Sequence, residues 1–482
     1  MMDDTGRLQT RALAILIAAA VLLAGGLLWG QIVGRVQANL WNVSFVKAVV
    51  NGAELPEPLP KPSWWQQVWL GRAALEWDDL PAAREAFASL ESKSEPFVLA
   101  AQAELAAAEG DISRAIEIWS AQGNYQALSR AAEKAEQAGN FNLSEAWYRA
   151  GYPLAPTETI LKLAPLYTDK LRQPEKAIPY LQQTITSFPA HERWPVWQRL
   201  LGDACRQVKD WECAEQAYTR ALVVTPDDVL SLVGMGYVAR DSRDDPDTAL
   251  DYFSQAIQRQ PGQYEGYLAL AETYSTLGEW SNADAAYLQA INARPDLVGL
   301  YIARAKGAAR NGNLELSRQI FKGAQALFPE SDILSYEYAA LEYGAGNLTT
   351  ARQLIEHAIQ RMRPPQPWYY RLAGIIYSGL QDQNAAKYIL EQGLALFPGE
   401  SSLYIELAIV EKNLAHPEQA IQAVEQALAL TGQPDAGYLA RAGVIYEWVG
   451  DNSRALDYYR QALAIDPADP VALPGFERLN GR

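Results

Sequence analysis

A pattern of small and aromatic residues returns twelve times in this chain, at a spacing of roughly 34 residues. One clear copy holds Leu439, Ala442, Gly443 and Tyr446, then Ala455, Tyr459, Ala462 and Pro467. Another holds Tyr267, Leu270, Ala271 and Tyr274, then Ala283, Tyr287, Ala290 and Pro295. A fixed period of this length decides the architecture before any local reading, because each unit must bury its apolar face on its neighbours. Each unit splits into two stretches with apolar residues at i, i+3, i+4 and i+7, the pattern of an amphipathic helix pair. Gly-Asn or Gly-Asp sits between the two at Gly110-Asp111, Gly139-Asn140, Gly312-Asn313, Gly346-Asn347 and Gly450-Asp451. Glycine accepts the left-handed conformation that ends one helix, and Asn or Asp caps the next. Prolines 226, 261, 295, 329, 398 and 467 end the second helix. The small residues Gly202, Ala271, Ala305, Gly374 and Gly443 are expected to face Ala214, Ala283, Ser317, Ala386 and Ala455.

The copies Tyr370-x2-Ala373-Gly374-x2-Tyr377, Ala386-x3-Leu390, Pro398 and Gln198-x2-Leu201-Gly202-x2-Cys205, Ala214-x3-Tyr218, Pro226 resemble the tetratricopeptide repeat. That repeat reads W-x2-L-G-x2-Y, A-x3-F, P. Tyr301 to Ser317, Phe321, Ala324 and Pro329 fit the same spacing. Copies at 332–366 and 401–435 are weaker, and the first three are shorter. Two copies carry an extra residue in the inner turn, near Leu171–Pro174 and Arg243–Pro246. The resemblance covers about 64–469 and implies an all-α, right-handed α-solenoid of about twelve helix pairs, with residues 470–482 as a C-terminal cap.

The resemblance also implies a binding protein and not an enzyme, with partners held in the concave groove lined by the first helices. Read onto this sequence, the groove residues are Arg199, Arg206, Tyr237, Arg240, Lys306, Arg310, Tyr336, Tyr343, Trp368 and Arg371. Arginine with tyrosine and tryptophan is the composition of binding hot spots. Some of these, Trp368 and Tyr336 above all, are alternatively packing residues between repeats. The Lys/Asn clamp that some family members use for a terminal carboxylate is missing, with Asp203, Tyr237, Glu272 and Lys306 in place of its asparagine. The groove reads as slightly basic, so an acidic protein or peptide segment is the expected partner. Changing Arg206 and Arg240 together to Glu is expected to abolish capture without altering the melting behaviour.

Charge narrows the partner class. The chain has 41 Lys/Arg and 57 Asp/Glu, a formal net charge of −16. Only five of those cations and four of those acids fall within residues 1–63, so the excess belongs to the repeats. So acidic a surface repels phosphate backbones, which argues against nucleic acid. The bland reading of the excess is solubility.

Ala12 to Gly34 is 23 residues with no charge and one polar side chain, Gln31. At about 1.5 Å per residue it spans the roughly 30 Å of bilayer hydrocarbon. It is longer than a signal-peptide core, and a retained transmembrane helix is the expectation, with a cleaved signal ending at Ala38 as the rival. Flanking positive charges tie, and the short tail 1–11 favours a cytoplasmic N-terminus with the repeats outside the cytoplasm. Gly26, Gly30 and Gly34 place three glycines on one face, a pattern that permits a homodimer through the membrane helix. Residues 35–63 form a juxtamembrane segment and a spacer in which Pro56, Pro58, Pro60 and Pro62 favour an extended, stiff form.

No chemistry emerges elsewhere. His191, His357 and His416 fall in separate repeats without metal-ligand spacing, and no phosphate loop or nucleophile motif is present. No cofactor or metal is expected. Cys205 and Cys213 flank an inner turn and face each other in helix-pair geometry. They are either a disulfide or two buried thiols. The expected function is a membrane-anchored scaffold in envelope, secretion or polysaccharide machinery. Its alternatives are a cytosol-facing receptor and a non-catalytic accessory subunit of a glycosyl transferase system.

Overall fold

The computed structural model describes residues 64–90, 93–432 and 434–481. The expected tail 1–11, membrane span 12–34 with Gly26, Gly30 and Gly34, and spacer 35–63 lie outside the described residues. Among the described residues every regular element is helical, and no helix is long and apolar enough to cross a membrane. They fall into two compact units, divided between Leu163 and Ala164.

The first unit holds α1 (Trp64–Glu76), α2 (Leu80–Ala88), α3 (Pro96–Ala108), α4 (Ile112–Ala121), α5 (Tyr125–Gln137) and α6 (Phe141–Gly151), and α7 (Pro156–Pro165) begins in it. Consecutive helices pack as pairs. Arg72 on α1 makes a bidentate ion pair with Glu104 on α3, at 2.7 and 2.8 Å, which ties the first pair to the second.

The second unit continues with α8 (Pro174–Ser187), α9 (Trp194–Gln207), α10 (Trp211–Val224), α11 (Val229–Arg243), α12 (Pro246–Arg259), α13 (Tyr264–Thr276), α14 (Trp280–Ala293), α15 (Val298–Arg310) and α16 (Leu314–Leu327). It ends with α17 (Asp332–Gly344), α18 (Leu348–Arg361), α19 (Pro367–Gly379), α20 (Gln383–Leu396), α21 (Ser401–Asn413), α22 (Pro417–Thr431), α23 (Ala436–Val449), α24 (Asn452–Ile465) and the capping α25 (Ala472–Asn480). From α9 to α24, first and second helices alternate. Each second helix packs on its own partner and on the next first helix, while successive first helices also touch one another. In this unit the first helices therefore form the tighter, inner face of the stack.

The turns explain the period. Gly110, Gly139, Gly312, Gly346 and Gly450 all have φ between 75° and 89°. The next residue donates its N–H to a carbonyl five residues back, as in Asn313 to Ala308 at 2.9 Å and Asp451 to Tyr446 at 2.9 Å. Asp111, Asn140, Asn313 and Asp451 then cap the following helix by accepting from the amide three residues on. Asn347 departs from this: it makes no cap bond, and its Nδ2 donates to Glu342 at 2.6 Å. Each proline of the series 226, 261, 295, 329, 398 and 467 stands two residues beyond its helix.

The two extra residues are absorbed in different ways. In the copy that begins at α7, the backbone widens into a π-turn, Leu166–Lys170, with Leu171 N–H bonded to Leu166 C=O at 2.9 Å. In the other, α11 runs one residue long and Asp244 takes the left-handed conformation, φ 50°.

Large side chains four positions beyond the partner alanines reach the small residues Gly202, Gly374 and Gly443. A Cβ on Gly202 would lie 2.6 Å from the Tyr218 ring, one on Gly374 2.7 Å from Leu390, and one on Gly443 2.5 Å from the Tyr459 ring. The alanines Ala214, Ala386 and Ala455 are fully buried beside them.

Candidate functional site

The inner face of the second unit has two parts of different chemistry. The first, on α9, α11 and α13, is polar and partly paired within itself, while the buried Nε of Arg206 has no hydrogen-bond partner. Arg199 Nη1 lies 3.2 Å from Asp203 Oδ2, and its Nε 3.8 Å from Asp228. The Tyr218 hydroxyl donates to Asp203 Oδ1 at 2.8 Å. Burial pushes the Asp203 carboxyl up, against the opposing pull of Arg199 and that hydroxyl. Arg240 forks onto Asp241 at 2.6 and 3.2 Å. The guanidinium carbons of Arg206 and Arg240 lie 4.9 and 4.8 Å from the centroid of the Tyr237 ring. Tyr237 in turn donates to Glu272 at 3.2 Å, and burial with that carboxylate pushes its phenol far up.

The second part, on α15 to α23, is more apolar and more open. Lys306 pairs with Glu337 at 3.1 Å. Arg310 is exposed and makes no ion pair with a described residue. Tyr336 is half-buried and packs on Tyr369 with ring centroids 4.8 Å apart, so it is largely a packing residue. Tyr343 and Trp368, on the first helices α17 and α19, are 39% and 44% exposed. Between α17, α19 and α21 lies an open cavity of about 530 Å³. Ile375, Ile409 and Val410 supply its apolar wall, and Ser378, Gln381, Gln383, Glu406 and Asn413 line it as polar groups. Asn413 Nδ2 reaches Ser378 Oγ and Gln383 Oε1 only at 3.5 and 3.4 Å, so its amide is weakly engaged.

Arg371 Nε lies 3.1 Å from Glu406, and Arg441 on α23 lies 3.5 Å from the same carboxylate. The expected basic arc is thus largely neutralised: Arg199, Arg240, Lys306 and Arg371 all have acids within ion-pair reach. The reason is stacking. The acids that answer Lys306 and Arg371 come from the next first helix, Glu337 and Glu406, about one repeat on. Reading each helix alone missed Glu406, Arg441, Ile375, Ile409 and Asn413. A search for opposite charges one period apart would have found the first two.

Cys205 and Cys213 are joined by a disulfide that links the end of α9 to the start of α10, with Cα atoms 5.8 Å apart. His191 stacks near Trp197, His357 meets the Ser335 hydroxyl at 3.0 Å, and His416 meets Glu411 at 2.7 Å. The three remain in separate surroundings. Among the described residues no group of side chains is arranged to hold a metal ion.

Comparison with known proteins bears on the repeats themselves. Models of the tetratricopeptide repeat match residues 267–297, 302–367 and 405–470. Anaphase-promoting complex subunit cut9 of Schizosaccharomyces pombe is 24% identical over 186 residues, which cover 37% of this chain and 28% of that protein's length. Among solved structures, yeast Tom70 overlaps 86% of this chain and 99% of its own, at 15% identity and a TM-score of 0.48. The Cut9–Hcn1 hetero-tetramer gives a TM-score of 0.39 at 15% identity, covering 92% of this chain and 94% of that one. Pseudomonas aeruginosa pilF gives 0.37 at 18% identity, over 45% of this chain and 96% of its own. The segments 267–297, 302–367 and 405–470 thus match the tetratricopeptide repeat, in a stretch whose helix pairs follow the same period.

Proposed function

We propose that this protein is a scaffold that holds a protein or peptide partner on the inner face of its second unit, centred on α17 to α23. The observation that carries the reading is the open cavity of about 530 Å³ lined by the exposed Tyr343, with a second exposed aromatic, Trp368, on the first helix α19 of the same stretch. An exposed aromatic at an open cavity lined by both apolar and polar side chains is a composition suited to holding a partner segment. The polar stretch on α9 to α13 is less suited, because Arg199 and Arg240 already have aspartates of their own.

The scaffold is anchored by the apolar span 12–34, with the N-terminus in the cytoplasm and the repeats outside it, and it serves envelope, secretion or polysaccharide machinery. The length of the span supports the anchor. The Cys205–Cys213 disulfide supports an oxidising compartment for the repeats. Sequencing of the mature protein should recover residues before Ala12, and a start at Asn39 would remove the anchor from the proposal.

The test of the groove is crosslinking in the native membrane followed by identification of what is captured. Tyr343→Ala with Trp368→Ala should lose the captured partner. Tyr388→Ala, which removes a side chain 63% exposed on the second helix α20, should retain it. The opposite result would place binding on the second helices and reject the groove.

A further inference from the structure

Two arginines on the inner face share one carboxylate. Arg371 on α19 and Arg441 on α23 both approach Oε1 of Glu406, on the helix between them, at 3.1 and 3.5 Å. The arginine side chains are 39% and 36% exposed, whereas that of Glu406 is 10% exposed. Each guanidinium carries five N–H donors in a fixed fork, so a single oxygen leaves most of both forks unused. The trio has one more positive charge than negative. It also borders the cavity, because Glu406 is one of the cavity-lining groups.

We propose that Glu406 is a built-in counter-ion that holds Arg371 and Arg441 ready for a carboxylate of the partner. The partner is then an acidic amphipathic segment. Its apolar side chains enter the cavity beside Ile375 and Ile409, and one of its carboxylates completes the two forks. This deepens the groove reading above and rests on it. Charge together with the cavity selects this place over the rest of the inner face: Arg310 is also exposed and without an ion pair among the described residues, and Arg206 lies over the Tyr237 ring, but neither lines the cavity. Arg199 and Arg240 each have an aspartate within 3.2 Å, and Lys306 has its own glutamate. Elsewhere the chain's acidic excess repels such a segment, so encounter is steered towards the arginine pair.

The probe is a fluorescent peptide of about 15 residues, with leucine at helical spacing and glutamates between, beside a twin with glutamines. Both are titrated into the full chain in detergent. The glutamate peptide should bind about tenfold tighter, the scale of one charge-assisted hydrogen bond at a half-exposed site. Arg371→Gln with Arg441→Gln should erase that preference. Glu406→Gln should free both forks and tighten the glutamate peptide several-fold, leaving the glutamine twin unchanged. Added salt should weaken only the glutamate peptide on the unmodified chain, a readout that stands even if Glu406→Gln fails to fold. Equal affinity for the twins, no binding of either, or weaker glutamate-peptide binding by folded Glu406→Gln would overturn the counter-ion role. If partner capture still depends on Tyr343 and Trp368 in that event, the groove reading survives and only this inference falls.

Discussion

The same substitution, glycine to alanine, should have opposite signs at two helical positions. Gly443 lies in α23, where a Cβ would come within 2.5 Å of two ring carbons of Tyr459. That ring is fully buried and has no room to retreat, since a Cβ on Gly475 would meet it at 2.4 Å from its own position in α25. Its hydroxyl is held by Glu447 at 2.8 Å, and Glu447 is held by Arg478 through two contacts of 2.7 Å. A methyl carbon needs about 3.5–4.0 Å, so ring or helix must move by about 1 Å. Overpacking of this kind costs about 1–3 kcal/mol, and the gain in helix propensity returns about 1 kcal/mol. Gly443→Ala should therefore destabilise by up to about 2 kcal/mol. Gly323 is in the middle of α16 and exposed, and its Cβ would meet nothing within 4 Å. Gly323→Ala should stabilise by about 0.5–1 kcal/mol. Because stability in stacked repeats is set by each unit and its neighbours, native-state hydrogen exchange of α16 and of α23–α24 is the assay. If Gly443→Ala raised protection as Gly323→Ala does, the close approach of first helix and second-helix ring would not be what fixes the small residue in the repeat.

Ala415 sits in an inner turn at φ 61°, a conformation that costs a Cβ-bearing residue about 1–2 kcal/mol. Ala415→Gly should stabilise by about 0.5 kcal/mol after the unfolded-chain entropy of glycine is subtracted, read as a shift in the urea midpoint. Glu342 feels burial pushing its carboxyl up, but hydrogen bonds from Arg318 and Asn347 outweigh it and hold the carboxyl below the usual range. Its contribution is complete above the pKa of an unfolded glutamate and is lost as pH falls through the lower folded value, so Glu342→Gln should flatten the acid limb of a stability–pH curve. Reducing the Cys205–Cys213 bond should cost about 2–3 kcal/mol through the short closed loop; two free thiols in unfolded, unreduced protein would contradict the bond. Arg206→Glu with Arg240→Glu places new acids among Asp203, Asp241 and Glu272 and should lower the melting temperature. The sequence alone had suggested that this pair would leave melting unchanged.

That last difference shows where the sequence is legible and where it is not. Periodicity, turn glycines and prolines are local signals, and each acts within a few residues of itself. Gly312-Asn313 ends one helix and caps the next whatever lies above it in the stack. The helix pairs could therefore be read from residues alone. The electrostatics of the inner face are only partly local: Arg199 meets Asp203 and Arg240 meets Asp241 on their own helices, but other pairs reach across. Lys306 meets Glu337, Tyr237 meets Glu272, and Arg371 meets Glu406, always with the answering group on the next first helix. Lys306 and Arg371 look free on their own helices, and the acids that answer them appear only when the pairs are stacked. The same stacking creates the cavity, since Tyr343, Ile375 and Ile409 come from three successive first helices and none marks a site by itself. What separates Arg371 from Arg199 is thus not residue type but the share of acid each receives from its neighbours. Arg199 has two aspartates within 4 Å, while Arg371 and Arg441 divide one glutamate. A groove of this kind is best searched by comparing charges both within each first helix and one repeat apart, which separates the carboxylate shared by Arg371 and Arg441 from the aspartates held by Arg199 and Arg240 alone.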